Sequence, residues 1–412
     1  MIWVYALNLY NLIMDARRRI LSAVIKQKDI VIDTNFISKY LTIEALEDGL
    51  TAKLSINNCE YCVDGDGDWK TLTADTYTPA INRKHVISFR ANLTGSSSNG
   101  IGTFTINKKC NLKGNCMSML YSDDASDNVS VGTYAFQALF QNATAIIDAS
   151  ELQMPATTLA NYCYRNMFQG CDGLIYPPKI LPAKTAKSYC YYSMFGGCSS
   201  LIETPELPAT TLGSYCYNYM FNGCSKLTKV SDLPAKTCTT YCYAYMFQNC
   251  KAIVNPPNIS ATTLNTYCFH SMFRGCTKLA SAPQLPVTSL KSYCYSNMFR
   301  ECTGITTAPE LPATALQQSC YSYMFYGCKN LTTAPELLAT TLATYSYHSM
   351  FYNCNKLDYI KMLATNISAS DCLKNWLYGV SSTGTFVKHP DMNDLSTGVS
   401  GIPSGWTVVD NV

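Results

Sequence analysis

A single pattern of apolar and polar positions recurs along the middle of the chain. It is first complete at 161–171, "NYCYRNMFQGC", and returns with changes at 188–198, 214–224 and 240–250. At about 100° per residue, one helical face of the first copy collects Cys163, Tyr164, Met167, Phe168 and Cys171, and the other collects Tyr162, Arg165, Asn166 and Gln169. The pattern predicts a short helix of about two turns with the cysteine and Met-Phe face inward. We call each copy the 11-residue motif.

The residues at both ends of the motif fit such a helix. Most motifs open on a residue whose side chain caps backbone N–H groups: Asn161, Ser188, Ser214, Thr240, Thr266, Ser292 and Thr344. Near the other end stand residues that tolerate a left-handed helix stop: Gly170, Gly197, Gly223, Gly275, Gly327, Asn249 and Asn353. Gln318 breaks the first rule. Glu301 breaks the second, so we expect strain or a different helix end there.

The motif repeats with a nearly constant period, which predicts a stacked solenoid. Its Met-Phe pair recurs eight times, from 167/168 to 350/351, at a spacing of 27 once and then 26 six times. A weaker copy at 133–143 precedes them, giving nine units. After each motif comes a short β-prone piece such as "LIET" (201–204), bounded by prolines that keep a strand short. Stacked units therefore predict a narrow parallel sheet opposite the helices.

The remaining segments predict other elements. Residues 41–122 alternate apolar and polar positions in "LTAKLSI" and "HVISFRANLT", with a hairpin in "YCVDGDGDWKTL", and predict a small antiparallel β-sandwich-like domain. The expected organisation is an N-terminal anchoring segment at 1–40, this domain, a linker at 123–132, the solenoid at 133–365 and a C-terminal cap at 366–412. In the cap, "SASDCLKNWLYGV" predicts a closing helix, and "TGTFVKHP" and "GIPSGWTVVD" predict strands.

Composition and charge narrow the functional classes. A net charge of +3 with 14% charged residues offers no basic field for nucleic acid. No segment reaches the ~20 apolar residues of a membrane span. The apolar N-terminal "MIWVYALNLYNLI" is a poor secretion signal because its positive charge follows the apolar run. Basic residues after Met14 predict a short amphipathic helix, and Met14 is an alternative start.

The 21 cysteines are interpreted as packing residues, and no cofactor or metal is expected. Cys163 and Cys171 are eight residues apart, about 12 Å along a helix and too far for a disulfide. Bridges between adjacent units remain an alternative. Cys59-x-x-Cys62 resembles half of a zinc or redox motif, but Cys110 and Cys116 have the wrong gap to complete it.

The sequence has only weak candidates for a calcium site, a nucleotide site or a catalytic site. The segment "DGDGDWKTLTAD" (64–75) resembles a calcium loop without its glycine at position six and its final glutamate, and a hairpin turn explains it equally well. The four histidines are scattered, and no phosphate-binding, dinucleotide or HExxH motif is present. We therefore expect no catalytic residues and no enzyme activity.

Outward positions vary from unit to unit and form the candidate binding surface. The first tyrosines of the motifs are expected to align as a ladder: Tyr162, Tyr189, Tyr215, Tyr241, Tyr267, Tyr293 and Tyr345. Beside them run a first outward series, Arg165, Tyr192, Asn218, Ala244, His270, Ser296, Ser322 and His348, and a second, Gln169, Gly196, Asn222, Gln248, Arg274, Arg300, Tyr326 and Tyr352. We call the ladder and both series the ridge.

The C-terminal half of the ridge is the predicted site. Tyrosine and arginine dominate binding hot spots, and this half holds the predicted ligand- or partner-binding residues Tyr267, His270, Arg274, Arg300, Tyr326, His348 and Tyr352. The strand face is nearly identical from unit to unit and carries little recognition information. The alternative, a solvated face with tyrosines packed sideways, stays open.

The unit "LPATTLxxYCYxxMFxGCxxLxxAPE" resembles the BspA-type leucine-rich repeat of gut-bacterial surface proteins and of their bacteriophages. The resemblance rests on Met220-Phe221, Cys224, Leu227 and Leu233-Pro234 and covers roughly 133–365. It implies an α+β leucine-rich-repeat solenoid and a non-enzymatic role in adhesion or receptor recognition. The N-terminal part is similar to modules of phage-encoded proteins, and "MDARRRIL" resembles the start of phage tail-associated proteins.

The resulting expectation is a phage tail or virion-surface component that binds a bacterial surface protein or glycan. Its N-terminal segment is expected to contact other virion or tail proteins. Homo-oligomerisation is left open. The alternatives are a bacterial cell-surface adhesin with the same repeats and, more distantly, a carbohydrate-active enzyme.

Overall fold

The computed structural model describes residues 32–94 and 100–411 and begins with a small β module. The module holds helix α1 (Thr34–Lys39) and strands β1 (Leu41–Ala45), β2 (Ala52–Leu54), β3 (Cys59–Val63), β4 (Lys70–Leu72), β5 (Val86–Ala91), β6 (Phe104–Ile106) and β7 (Cys110–Asn115). Five of these strands and β9 (Ile146–Gln153) form a sheet in the order β4-β3-β5-β1-β7-β9, while β2 and β6 pair separately. The predicted N-terminal basic helix lies outside the described residues.

The strands of the module match the alternating patterns that predict them. The predicted hairpin is present, with Cys59 opposite Leu72 across β3 and β4. All pairings in the module are antiparallel except β7 with β9, which is parallel. Central strands β1 and β5 are buried on both faces, and their buried polar residues Thr42 and Ser88 share a hydrogen bond of 2.8 Å.

The β module and the solenoid share one core. The ring of Phe104 lies 4.9 Å from Phe89 within the module and 5.5 Å from Phe140 of the first repeat. Residues 123–132, expected as a linker, lie in a 3-10 helix (Ser122–Asp127) that follows helix α2 (Ser118–Tyr121) and in strand β8 (Ser130–Val131). Strand β8 pairs in parallel with β10 (Thr158–Leu159) of the solenoid.

The repeats stack in parallel register, as the period predicts. Strand β11 (Thr185–Ala186) pairs with β12 (Thr211–Leu212). Single-residue bridges continue the same offset, for example between Glu203 and Lys229 and between Thr307 and Thr333. The strands are one or two residues long along most of the stack, because prolines interrupt them. The predicted solenoid of stacked 26-residue repeats is confirmed.

The short helix predicted for each motif is wrong, because the motif is a run of tight turns. Alternate N–H groups bond within the unit, as Met167 N does to Tyr164 O at 3.2 Å. The groups between them bond to the next unit, as Phe168 N does to Met194 O at 2.9 Å. An α-helix sends every such bond to its own chain four residues back. The solenoid is therefore mostly β with turns, not the α+β arrangement expected.

A left-handed residue at every fourth position explains these turns. In the first complete motif, φ is +60° at Tyr162, +57° at Asn166 and +75° at Gly170. The resulting four-residue period and the 3.6-residue period of a helix place the same side chains inward over so short a stretch. The turns are stabilised because they free half of the motif's N–H groups to join neighbouring units. Glu301 also adopts φ +65°, so the expected departure at that position is backbone strain.

The C-terminal segment continues the stack. The predicted closing helix is wrong: left-handed residues Asp371, Asn375 and Gly379 mark a tenth run of turns. The two predicted strands are confirmed as β14 (Gly384–Lys388) and β15 (Trp406–Asp410), which extend a parallel sheet that starts at β13 (Tyr359–Met362).

Two columns of stacked aromatic rings fill the solenoid interior. Ring centroids are 5.4–6.1 Å apart in the column that runs from Phe136 through Tyr164 to Tyr347. They are 5.3–5.8 Å apart in the column from Phe140 through Phe168 to Phe351. Each stacked pair adds about 0.5–1.5 kcal/mol beyond its buried area. Every unit therefore has nearly the same interior.

Candidate functional site

The tyrosine ladder is a continuous stack along the outer side of the turns. From Tyr134 to Tyr293, successive ring centroids lie 4.4–4.8 Å apart. These tyrosines are half-buried, since each ring covers the face of the next. The left-handed backbone at each of them places the rings one above another at the spacing of the parallel strands. The ladder is a rigid apolar surface with phenol hydroxyls at its edge.

The first outward series is less exposed than the helical wheel predicts. Asn218, Ala244, Ser296 and Ser322 are buried. Neighbouring units shield this series, as at Asn218, whose Nδ2 donates to the backbone oxygen of Tyr241 at 3.3 Å. Arg165 is also flanked by rings, because its guanidinium carbon lies 5.9 Å from the centroid of the ladder ring Tyr162 and 5.4 Å from that of Tyr192 in the next unit.

The two predicted histidines are held against tyrosine rings. The His270 ring lies 5.0 Å from Tyr245 and 5.6 Å from Tyr267. Burial and the nearby Arg274 lower the pKa of His270 to about 4. The His348 ring lies 4.8 Å from Tyr323, and burial with the nearby Lys374 lowers its pKa as well. Both imidazoles are therefore uncharged at neutral pH.

The second outward series forms one connected cluster in the C-terminal half. Glu301 bridges two arginines, with its carboxylate oxygens 3.8 Å from Arg274 Nε and 3.3 Å from Arg300 Nε. The Arg300 guanidinium carbon lies 4.4 Å from the ring centroid of Tyr326. The Tyr326 ring stacks on Tyr352 at 4.6 Å. These contacts hold long side chains in place before any partner binds, which lowers the entropic cost of binding.

The structure adds one residue to this cluster that the sequence analysis missed. Tyr378 stacks on Tyr352 at 4.7 Å and is 44% exposed. It occupies the second outward position of the tenth run of turns. Tyr378 could have been predicted if "DCLKNWLYG" had been interpreted as a further copy of the motif and not as a helix.

The ladder is interrupted in one unit, and a cavity lies there. Ser319 takes the place of the tyrosine between Tyr293 and Tyr345. A cavity of about 430 Å³ is lined by residues from four units, including both histidines of the predicted site. In the sequence, Gln318 stands out only as an unusual cap residue. The cavity could have been predicted from its neighbour Ser319, a small residue in a column of tyrosines.

The structure thus divides the predicted site residues into two neighbouring groups. Tyr267, His270 and His348 line the cavity. Arg274, Arg300, Tyr326 and Tyr352 belong to the cluster around Glu301. Asn297 joins the two groups, because it lines the cavity and its Oδ1 accepts a hydrogen bond from Arg300 Nη1 at 3.4 Å.

The cysteines are buried, as their interpretation as packing residues predicts. All 21 lie in the described part of the chain and are buried free thiols. From Cys171 to Cys354, the second cysteine of each motif donates its thiol hydrogen to the phenylalanine carbonyl of the preceding motif at 3.0–3.2 Å. Burial raises the pKa of Cys171 to about 12, which keeps the thiol protonated and unreactive.

The candidate metal segments of the β module have other contacts. The Cys62 thiol donates to Asp66 Oδ1 at 3.1 Å. The first carboxylate of the calcium-like segment, Asp64, lies 2.7 Å from Nδ1 of His85. Across residues 32–94 and 100–411, no three His, Cys, Asp or Glu side chains lie together as a metal site would require.

Searches of curated proteins and of solved structures each gave no match. Among residues 32–94 and 100–411, the helices are too short or too polar for any of them to cross a membrane. The family model described as "BspA type Leucine rich repeat region (6 copies)" matches residues 130–279 and 270–375. These ranges cover more than half of the chain and contain the whole ridge. The chain therefore belongs to the family of BspA-type leucine-rich-repeat proteins.

Proposed function

We propose that this protein is a non-enzymatic adhesion or receptor-recognition protein in a phage tail or on a virion surface. It binds a bacterial surface protein or glycan through the C-terminal half of the ridge. Its repeats are consistent with a surface adhesin or protein-binding role. One observation carries the proposal: a rigid repeated backbone holds a connected cluster of arginine and tyrosine on its outer side.

The composition of that cluster supports recognition of a partner. Interfaces are enriched in tyrosine and arginine, and hot spots lie where such side chains are preorganised. Arg300 is fixed between Glu301 and Tyr326, and Tyr352 continues the surface. In the N-terminal half, the corresponding positions hold Gln169, Gly196, Asn222 and Gln248, which offer less contact area.

A binding experiment tests this proposal. Fluorescently labelled protein is incubated with a panel of bacterial strains, and bound protein is measured by flow cytometry. The variant carrying Arg274→Ala, Arg300→Ala, Tyr326→Ala and Tyr352→Ala should lose binding and keep its melting temperature within a few degrees. Its matched control carries Gln169→Ala, Asn222→Ala and Gln248→Ala at equivalent positions and should bind like the parent. Unchanged binding by the first variant would place the binding surface elsewhere.

The location on a virion is tested separately from binding. Residues 1–40 are proposed to attach the protein to other virion or tail proteins. Mass spectrometry of purified phage particles should find the protein among the tail components. Its recovery from the surface fraction of uninfected bacteria instead would favour the alternative, a bacterial cell-surface adhesin.

The more distant alternative, a carbohydrate-active enzyme, has less support. Hydrolysis of a glycosidic bond generally needs two carboxyl groups roughly 5–10 Å apart, one of them able to act as an acid. The Glu301 carboxylate on the ridge is paired with Arg274 and Arg300. The charged groups that contact it are arginines, not the second carboxyl group that such hydrolysis needs.

A further inference from the structure

The cavity at Ser319 lies where one ring of the ladder is missing. Ladder rings lie 4.4–4.8 Å apart wherever the stack is continuous. Tyr293 and Tyr345 flank Ser319 and lie two units apart, so their separation is about twice the stacking distance. One flat ring fits between them with a normal stacking contact on each face. We call this space the ring slot.

The inner wall of the ring slot is polar and uncharged. Ser296 and Ser322 lie side by side in the first outward series, where bulkier residues stand in the units before and after. The Ser296 hydroxyl oxygen accepts a hydrogen bond from Asn297 Nδ2 at 3.0 Å, which leaves the hydroxyl hydrogen available to donate to a ligand. His270 and His348, from the two outer units of the four, also line the cavity.

One polar atom at this wall lacks a partner. Nδ1 of His270 is buried and makes no hydrogen bond. A buried polar group without a partner is destabilising, so its presence calls for an explanation. A half-turn of the imidazole about χ2 exchanges Nδ1 with a ring carbon, so either edge of the ring can carry the hydrogen bond. In the described orientation Nδ1 is shielded from solvent, so it can pair with a ligand in the ring slot only after that rotation.

We propose that the ring slot binds one neutral pyranose ring of a bacterial surface glycan. This inference rests on the proposed function and names its ligand class. The faces of a pyranose carry C–H groups that stack on Tyr293 and Tyr345, while its edge carries hydroxyls that bond to Ser296, Ser322 and His270. An aromatic side chain would also stack, but a plain ring would leave the polar groups of the wall desolvated and unpaired. The Gln318 amide, which donates to the Tyr293 hydroxyl at 3.1 Å, adds a polar group beside this wall.

The substitution Ser319→Tyr tests the proposal by restoring the missing ring. Ser319 has φ +52°, close to the +55° to +60° of the ladder tyrosines, so the backbone already suits tyrosine. The variant should fold, extend the ladder and close the ring slot. On an array of neutral and acidic bacterial oligosaccharides, the parent should bind neutral glycans and Ser319→Tyr should lose that binding at least tenfold. The matched control is Ser193→Tyr, which adds a tyrosine beside the ridge, at the position where Tyr219 and Tyr245 stand in other units.

A second variant keeps the test independent of the fold of the first. Combined Ser296→Ala and Ser322→Ala removes two hydroxyls and leaves the ladder intact, and should weaken binding of the best neutral glycan about tenfold by calorimetry. Retention of full glycan binding by both variants would overturn the proposal. So would binding to cells that survives periodate treatment of the cells but not protease treatment, because that result identifies a protein ligand.

The same experiments separate the two proposals. If the parent binds cells through the Arg274–Tyr352 cluster but Ser319→Tyr binds them equally well, the ring slot proposal is wrong and the proposed function stands. If the parent binds none of the strains and no glycan, the proposed function itself is wrong.

Discussion

The two halves of the solenoid share one scaffold but differ on their outer side. In both halves the turns, the buried rings and the thiol bonds are the same. In the N-terminal half the tyrosine ladder is continuous from Tyr134 onward. In the C-terminal half it is interrupted at Ser319, where a cavity and an arginine-tyrosine cluster lie together. The comparison shows that the residues repeated from unit to unit build the scaffold, and that the positions departing from the repeat lie at the candidate site.

The largest expected effect tests whether the two interiors are equivalent. Phe247→Ala and Phe299→Ala each remove a fully buried ring from the same column, one in each half. Each should lower the free energy of unfolding by about 3–5 kcal/mol, because the cavity cannot collapse between stacked neighbours. Urea denaturation followed by circular dichroism measures both. Costs that differ by more than about 1 kcal/mol would show that the halves do not share one scaffold.

The next effect depends on pH and belongs to the C-terminal half. The folded-state pKa of His270 is about 4, against ~6.5 for an unfolded histidine. As pH falls below ~6.5 the unfolded chain binds the proton first, so the free energy of unfolding decreases until pH falls through the folded pKa. The loss from this residue is at most about 3 kcal/mol.

The matched variant isolates this contribution from other titrating groups. His270→Ala introduces the residue that stands at position 244 in the preceding unit. The stability difference between parent and His270→Ala should change in favour of the variant between pH 6.5 and 4. A difference that stays constant over this range would contradict the buried, uncharged state of the imidazole.

A smaller effect concerns the thiol bonds that both halves share. Cys224→Ala and Cys302→Ala each remove a buried sulfur and its hydrogen bond, to the carbonyl oxygens of Phe195 and Phe273 respectively. Each should cost about 1–2 kcal/mol of stability and leave binding to cells unchanged. Thermal denaturation and the cell-binding measurement check this pair. Loss of binding by either variant would show that the cysteines contribute more than packing.

The smallest expected effect concerns the strained position within the cluster. Glu301 holds φ +65°, where Asn249 and Asn353 stand in other units. Glu301→Asn should raise stability by about 0.5 kcal/mol, because asparagine tolerates this backbone better and exposed ion pairs contribute little. Gly223 occupies the same position in another unit at φ +77°. Gly223→Ala introduces strain there and should lower stability by about 1 kcal/mol. A clear loss on Glu301→Asn would show that its contacts with the arginines outweigh the strain.

Much of the fold could be predicted from the sequence, and the failures have a common cause. The period and the inward side chains follow from the 26-residue repeat, and the strands of the β module follow from local alternation of apolar and polar residues. The helices were wrong because hydrophobic periodicity records which side chains face inward and not which backbone carries them. Backbone hydrogen bonds between units stabilise the turns over a helix. Such bonds leave no pattern in the local sequence.

The candidate site could be predicted only in part. Its positions were named from the variable outward residues, and the structure places Arg300 and Tyr326 in contact. The burial of His270 was missed, because the helical wheel places it outward while neighbouring tyrosine rings cover it. The cavity was missed because it arises from a small residue in a stacked column, and stacking between units becomes visible only in three dimensions.

The alternating hydrogen bonds of the turns also bear on how such a protein changes over evolutionary time. Each unit bonds to its two neighbours through the same backbone groups, so a whole unit can be duplicated or deleted by recombination without disturbing the register. Each such event changes the reach of the protein by about 4.7–4.9 Å, the spacing of neighbouring strands. It also moves the interrupted ladder nearer to or farther from the β module. A lineage can thereby adjust how far its candidate site stands from the proposed attachment point of the N-terminal segment, while the site itself stays intact.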